Sequence, residues 1–194
     1  MRTDTVTPES LQLSWPHFCQ QILDFLQALG LDKLELKCDH VALRVNSSAA
    51  ADNLSQHFAT QGKLISNNLI NGRPIQIFEL NHPLILGRMR IECIELPYPG
   101  NKTYPIEGWE HIELILPGKA ETTAQLQQQL LDALPSLAPI LDKQTDIKVK
   151  HSSPKGEHER LANPTIALKR DNICIKIHAH GIKAIIASEI QPET

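Results

Sequence analysis

The chain lacks a surplus of positive charge, a long hydrophobic run and an abundance of aromatic side chains. Its 194 residues include 19 Lys and Arg against 22 Asp and Glu, which gives a formal charge of −3. A protein that neutralises a phosphate backbone needs excess basic residues, so we expect no nucleic-acid partner. No run approaches the roughly 18 apolar residues of a spanning helix, so we expect no membrane partner. Since the first residues also lack the apolar region of a secretion signal, we expect a cytoplasmic protein.

Cysteine is scarce and is not arranged for metal binding or disulfide exchange. The four cysteines contain no CxxC pair, and a chain of this length does not depend on disulfides, so we expect reduced thiols. Hydrophobic residues make up 41% of the chain, as in ordinary globular proteins, which indicates a single domain over residues 1–194. The nine histidines are more informative, because imidazole is the commonest metal ligand and titrates near neutral pH.

A short pattern occurs twice in the sequence, at residues 39–45 and 110–116. Each copy opens with an acidic residue and a histidine, and then alternates apolar residues with others at a period of two. This alternation is typical of a strand with one buried face. We therefore expect the residues of the other face to point into a shared interior: His40, Ala42 and Arg44 in the first copy, and His111, Glu113 and Ile115 in the second.

The elements that follow the two copies also correspond. Helical spacing of apolar residues predicts a helix at 47–61 after the first copy and one at 119–134 after the second. Three further strands are predicted in each half, at 63–66, 74–80 and 90–96, and at 146–151, 165–169 and 173–178. The shared order indicates an internal duplication.

We therefore predict an α+β protein built from two β-α-β-β-β modules, at residues 37–100 and 101–189. A helix at 15–31 precedes them, in an N-terminal helical extension over 1–36, and a short helix follows at 181–189. Paired modules of this kind form a curved mixed sheet around a cup, with the helices outside.

The duplication predicts a metal site in the cup. Duplicated strands that pair about a pseudo-twofold axis bring His40 and His111 close together, and the last strand of the first module adds Glu95. Such a set can hold Zn²⁺, Fe²⁺, Mn²⁺ or Ni²⁺ with positions left open for water or substrate. The matching strand of the second module offers Lys176 and His178, and the fourth place stays open between them. Because bonds to one cation are roughly 2 Å long, the two repeated histidines must approach within about 6 Å.

Several phrases of the sequence resemble the YecM family of bacterial proteins. These phrases are DHVALR at 39–44, INGRP at 70–74, ELPYPG at 95–100, GWEHIE at 108–113 and SSPKGEHER at 152–160. That family looks like a member of the vicinal oxygen chelate superfamily, which includes glyoxalase I, methylmalonyl-CoA epimerase and extradiol dioxygenases. The resemblance implies a metal that chelates two neighbouring substrate oxygens, with His40, Glu95 and His111 at ligand positions. The resemblance implies a fold, but it does not identify a substrate.

Charged residues near this interior are candidates for catalysis and substrate binding. A general base is expected at Glu157 or Glu159, and Lys176 is a third catalytic candidate. The substrate-binding candidates are Arg44, Arg73, Glu113 and Arg160, with the arginines as a clamp for an anion. The alternatives are that the segment at 154–160 is a solvated turn, and that Lys176 only extends its ammonium to water.

Three functions stay open at this point. The leading hypothesis is a metal-dependent enzyme of the chelate type, an isomerase, epimerase or oxygenase, acting on a small oxygen-rich metabolite. The second is a metal-free protein that binds a small anion in the same cup through Lys176, Arg44 and Arg73. The third is a scaffold with a vestigial site. The substrate, the metal and the choice between monomer and homodimer do not follow from the sequence.

Overall fold

The computed structural model describes residues 5–153 and 161–189. These residues form five α-helices: α1 Pro8–Leu29, α2 Ser48–Gln61, α3 Thr123–Ala133, α4 Ala138–Leu141 and α5 Ile182–Glu189. They also form eight strands: β1 Lys37–Arg44, β2 Gly62–Ile70, β3 Arg73–Leu86, β4 Met89–Pro97, β5 Gly108–Ile115, β6 Lys148–Ser152, β7 Thr165–Arg170 and β8 Ile173–His178. Short 3-10 helices lie at Leu31–Leu34 and Pro135–Leu137. None of the described helices is long and apolar enough to cross a membrane.

The strands form one curved mixed sheet in the order β2-β3-β4-β1-β5-β8-β7-β6, which is not closed into a barrel. β1 and β5 pair in antiparallel orientation at the centre. The arrangement then repeats on either side, because β1 lies parallel to β4 and β5 lies parallel to β8, with antiparallel pairs further out. The predicted α+β class with a duplicated sheet unit is confirmed, whereas the exact module boundaries stay a prediction.

One face of the sheet packs against helices and forms the main core. α2 lies against β3 and β4, α3 against β7, and α1 against β5 and β8. Val41 and Leu43 of β1 are buried in this core together with Leu54 of α2 and Phe78 of β3. Burying each such side chain stabilises the fold by roughly 1.5–3 kcal/mol. Because strand side chains alternate, this burial sends the histidines of the repeat to the opposite face, which we call the cup.

The first helix begins earlier than predicted, at Pro8. Thr7 caps it in a reciprocal arrangement: the Ser10 backbone N–H donates to the Thr7 hydroxyl at 3.2 Å, and the Thr7 backbone N–H donates to the Ser10 hydroxyl at 2.9 Å. The predicted beginning at residue 15 is therefore too late, although Leu11 lies seven residues before Phe18 and is buried in the same core; Leu13 is 83% exposed. The helix ends at Leu29, two residues before the predicted end, and Gly30 caps it with a φ of 75° that suits glycine.

The last helix, α5, lies on the cup face. Its residues Ile182 and Ile186 pack against Ile75 and Ile77 of β3 and Cys93 of β4, whose sequence neighbours point into the main core. α5 therefore covers the half of the cup that belongs to the first module. Among the described elements, no helix covers the other half in the same way.

Candidate functional site

The two histidines of the repeat lie on the neighbouring central strands. In the β1–β5 register, His40 lies opposite Glu113 and Ala42 lies opposite His111. The two histidine ring centroids are 6.4 Å apart, while His40, His111 and Glu113 each offer a ligand atom within 4.8 Å of the others. All three side chains are buried. Within the described part of the chain, this buried group could hold a metal ion.

An acidic residue holds each histidine by its Nδ1 atom. Asp39 Oδ2 lies 2.9 Å from Nδ1 of His40, and the Glu110 carboxylate hydrogen-bonds to Nδ1 of His111 in the same way. A carboxylate in this position orients the ring and leaves Nε2 as the atom that binds a metal. The acid–histidine dipeptide of the repeat thus supplies two oriented imidazoles.

Glu113 lies at the centre of the site. Its Oε1 atom is 3.1 Å from Nε2 of His111, 3.6 Å from Nε2 of His40 and 2.9 Å from Nζ of Lys176. Its Oε2 atom is 3.3 Å from Nδ1 of His178. The sequence predicts Glu113 as a substrate-binding residue, and these contacts make it a candidate ligand.

Glu95 and Lys176 hold equivalent places in the two modules. Glu95 lies opposite Ala42 in the β4–β1 pair, and Lys176 lies opposite Glu113 in the β8–β5 pair. Glu95 Oε2 is 3.5 Å from Nε2 of His40. The structure therefore brings Glu95 to the site. At the equivalent position of the second module, an ammonium takes the place of this carboxylate.

His178, the other candidate for the fourth place, lies beside His40, with 6.2 Å between the ring centroids. Its Nε2 atom is 3.5 Å from Asp39 Oδ2. Both ring nitrogens are buried and have no hydrogen-bond partner among the described residues. Burial lowers the pKa of His178, which favours the neutral imidazole that metals bind.

Carboxylates control the protonation of the two central histidines. Burial lowers the pKa of His40, but the charge of Glu113 and hydrogen bonds to carboxylates raise it well above its ordinary value. Burial and the charge of Lys176 lower the pKa of His111, and Glu110 reverses this and raises it. Burial raises the pKa of Glu113, whereas the charges of Lys176 and His40 bring it well below its ordinary value. A cation that binds here must therefore displace protons from the imidazoles.

Glu110 connects the site to the wall of the cup. Its carboxylate pairs with His111 and also with Nη2 of Arg44, at 2.6 Å. The Arg44 guanidinium lies 4.2 Å from the ring centre of Tyr104. Burial raises the pKa of Glu110, but the charge and hydrogen bond of His111 and the charge of Arg44 lower it to about 2. Arg44 therefore already has a carboxylate partner.

The site opens into a cavity of about 690 Å³ on the cup face. The predicted residues that line it are His40, Arg44, Arg73, Glu95, His111, Glu113, Lys176 and His178. Three lysines that the sequence reasoning missed, Lys148, Lys150 and Lys169, line it as well. The signal for them is the alternation along β6 and β7, which puts them on one face once the pairing of these strands is known.

Three predicted residues lie outside the described part of the chain, and two acidic residues of the site were not predicted. Glu157, Glu159 and Arg160 lie outside the described residues. Asp39 and Glu110, which hold the histidines, were not predicted as site residues. Their signal was present in the sequence, since an acid precedes the histidine in both copies of the repeat.

Fold and site together define a class: a duplicated α+β protein whose cup carries a buried His, His and Glu group able to hold a metal ion. The chain belongs to the YecM family, whose model matches residues 7–189. It is 43% identical to Protein YecM of Escherichia coli over 175 residues, which cover 90% of this chain and 89% of that protein. A protein of Haemophilus influenzae described as uncharacterized is 34% identical over 171 residues, with 86% of each chain covered.

A solved structure described as "Structural Genomics, Protein EC4020" has the same fold. Its TM-score is 0.77 and its sequence identity 37%, with 93% of this chain and 92% of that chain covered. The predicted resemblance to the YecM family is thereby confirmed. The cytoplasmic location, the exclusion of nucleic acid and the monomeric or homodimeric state stay predictions.

Proposed function

We propose that the protein is a metal-dependent enzyme of the vicinal oxygen chelate type, an isomerase, epimerase or oxygenase for a small oxygen-rich metabolite. The observation that carries this proposal is the buried group of His40, His111 and Glu113, with ligand atoms within 4.8 Å of one another. The group borders a cavity of about 690 Å³. Clustered buried ionisable groups in a cleft are typical of functional sites.

The side chains present fit a divalent cation. Nε2 of His40 is buried and makes no hydrogen bond among the described residues, while Glu95 Oε2 and Glu113 Oε1 lie 3.5 Å and 3.6 Å away from it. A cation bound here would take this nitrogen and a neighbouring carboxylate oxygen as ligands together. Two imidazoles and a carboxylate suit Zn²⁺, Fe²⁺, Mn²⁺ or Ni²⁺. The proposed ligands are His40, His111 and Glu113, with Glu95 and His178 as candidates for a further place.

The surrounding side chains can bind the substrate and move a proton. A cation at this site supplies polarisation of two neighbouring substrate oxygens. Burial raises the pKa of Glu95, but His40 and Lys176 lower it overall, so Glu95 is ionised and its carboxylate can accept a proton from substrate. The ammonium of Lys176 can stabilise a negative substrate oxygen. Glu157 and Glu159 also stay candidates for the general base.

An isomerase or epimerase and an oxygenase require different properties of the cation. Proton transfer next to a polarised oxygen needs only a Lewis-acidic cation, for which a redox-inert ion suffices, and a base. An oxygenase needs iron or manganese and an open position for oxygen. A redox-inert metal in the purified protein would therefore exclude the oxygenase.

Elemental analysis of the purified protein tests the proposal. We expect about one transition-metal ion per chain in the native protein, and loss of it in His40→Ala, His111→Ala and the nearly isosteric Glu113→Gln. His82→Ala is the matched control, because His82 is exposed on β3 outside the cup, and it should keep the metal. Negligible metal in the native protein as well as in the variants, after incubation with each cation, would end the proposal.

A metal-free anion-binding protein is the second candidate function. Basic residues favour it, because Arg73, Lys148 and Lys169 line the same cavity. This function predicts that an anionic ligand protects the protein against thermal unfolding equally well with and without a chelator. A chelator that abolishes the protection would favour the metal-dependent enzyme.

A further inference from the structure

The cup is covered on one side and basic on the other. On the side of the first module, Ile182 and Ile186 of α5 pack onto the sheet. On the side of the second module, Lys148 and Lys150 of β6 and Lys169 of β7 line the cavity. A substrate that reaches the central histidines has therefore an apolar wall on one side and ammonium groups on the other.

The strand register places these lysines relative to the proposed metal ligands. One row of directly paired residues runs across the sheet from Lys148 on β6 to Lys169 on β7, Cys174 on β8 and His111 on β5. Strands lie about 4.8 Å apart, so the step from β5 to β7 spans about 10 Å. The ammonium groups are thus separated from the central site by the length of a small metabolite.

Lys148 and Lys169 are direct cross-strand partners. Like charges directly opposite each other destabilise a pair of strands. Within the described residues, neither lysine has a carboxylate at ion-pair distance, whereas Lys176 pairs with Glu113 and Lys183 pairs with Glu79 and Glu92. An unfavourable charge arrangement that faces a cavity is expected where a ligand supplies the missing opposite charge.

We propose that the substrate carries a second anionic group, a phosphate or a carboxylate, which binds between Lys169 and Lys148, whose strands lie about 10 Å and about 14 Å from the strand of His111. Lys150 also lines the cavity, but it lies opposite Ala167 and outside this pair of lysines. The inference rests on the proposed function and specifies its substrate class: a chelating end and a remote anionic end.

Gluconate and 6-phosphogluconate test this inference as a matched pair of probes. Both have a carboxylate and a neighbouring hydroxyl that can chelate a cation, and only the second has a phosphate at the far end of its carbon chain. Glucarate, with a carboxylate at that end, distinguishes a carboxylate from a phosphate as the preferred group. Affinities are measured by isothermal titration calorimetry on the full chain, loaded with Mn²⁺ and without it.

We expect 6-phosphogluconate to bind roughly tenfold more tightly than gluconate, because it adds two or three partly exposed ion pairs. In Lys148→Met/Lys169→Met this advantage should disappear while gluconate binds as before. The matched control is Lys33→Met/Lys119→Met, which removes two exposed lysines that do not line the cavity, and it should keep the advantage.

Two results would overturn the inference: equal affinity for gluconate and 6-phosphogluconate, or an advantage that survives in Lys148→Met/Lys169→Met. Bound metal is measured in the same samples, so the two proposals fail separately. If the metal is present and the phosphate gives no advantage, the anionic subsite is wrong and the proposed function stands. If no metal binds but the lysine-dependent advantage is present, the subsite stands and the metal-dependent function is wrong.

Discussion

Lys176 competes with a cation for the same carboxylate oxygen. Its Nζ atom is 2.9 Å from Glu113 Oε1, the atom that is also closest to Nε2 of His111. Lys176 is 27% exposed and Glu113 9%, so the pair lies where charges are poorly screened. We therefore expect Lys176→Met, which keeps the length of the side chain, to change protein stability and metal affinity in opposite directions.

The expected size of the effect follows from the distances. A cation bonded to Glu113 Oε1 at about 2.1 Å lies no more than about 5 Å from the ammonium. At an effective dielectric constant of about 20, a divalent cation and an ammonium at that distance repel by about 7 kcal/mol. Since the lysine side chain can move away, we expect affinity for the metal to rise roughly 10- to 100-fold in Lys176→Met.

Without metal, the same substitution removes a cation from a buried carboxylate. Because Glu113 keeps its contacts with His40 and His111, the loss is that of one charge-assisted hydrogen bond, and the free energy of unfolding should fall by about 1–3 kcal/mol. Urea unfolding of the chelator-treated protein measures the loss, and competition with a fluorescent chelator measures metal affinity. Lys183→Met is the control, because Lys183 pairs with Glu79 and Glu92 outside the central group. Metal affinity in Lys176→Met equal to or below that of the native protein would refute the reasoning.

Three further predictions follow from the contacts of the site. Glu110→Gln should weaken metal binding roughly 10- to 100-fold without unfolding the protein, because the Nδ1 atom of His111 loses the carboxylate that orients it; a metal titration checks this, and unchanged affinity would contradict it. The pKa of Glu110 is lowered from 4.5 to about 2. Its contribution of about 3 kcal/mol to the free energy of unfolding is therefore fully present above pH 4.5 and is lost as the pH falls towards 2. Urea unfolding at pH 7 and pH 3 should show a smaller pH-dependent loss of stability in Glu110→Gln than in the native protein. Gly181→Ala should destabilise the protein by roughly 1–3 kcal/mol, because the added Cβ would lie 2.9 Å from Asp39 Oδ1 and from Ile115 Cδ1; a thermal midpoint equal to that of the native protein would count against this crowding.

Much of the fold was predictable because it depends on local periodicity. The strands at the centre of the sheet and the helices that follow them were found from alternation and from helical spacing. Ser47 caps the first module helix at its predicted beginning, whereas Thr122 caps the second, which begins four residues later than predicted. The beginning of α1 was missed although Leu11 continues the helical spacing of Phe18, because Pro16 and the exposed Leu13 interrupt the apolar pattern between them. The short turns of helix after Ala133 were missed because they contain too few residues to show a period.

The candidate site was predictable in part for the same reason. The repeated acid–histidine dipeptide and the alternation of β1 and β5 put His40, His111 and Glu113 on one face before any coordinates were known. The sequence predicts Glu113 as a substrate-binding residue and not as a metal ligand, because alternation does not show which carboxylate lies opposite which histidine. That information is held in the β1–β5 register, where Glu113 faces His40.

The sequence by itself determined the duplication, the direction of each strand face and the identity of the donor atoms, because these follow from residue types and from spacing along one chain. The tertiary structure decided which of the aligned side chains meet. It pairs the ammonium of Lys176 with the carboxylate of Glu113, places α5 across one half of the cup and brings the lysines of β6 and β7 together in the other half. These contacts depend on strand pairing and packing between segments far apart in the chain, and no local pattern of residues encodes them.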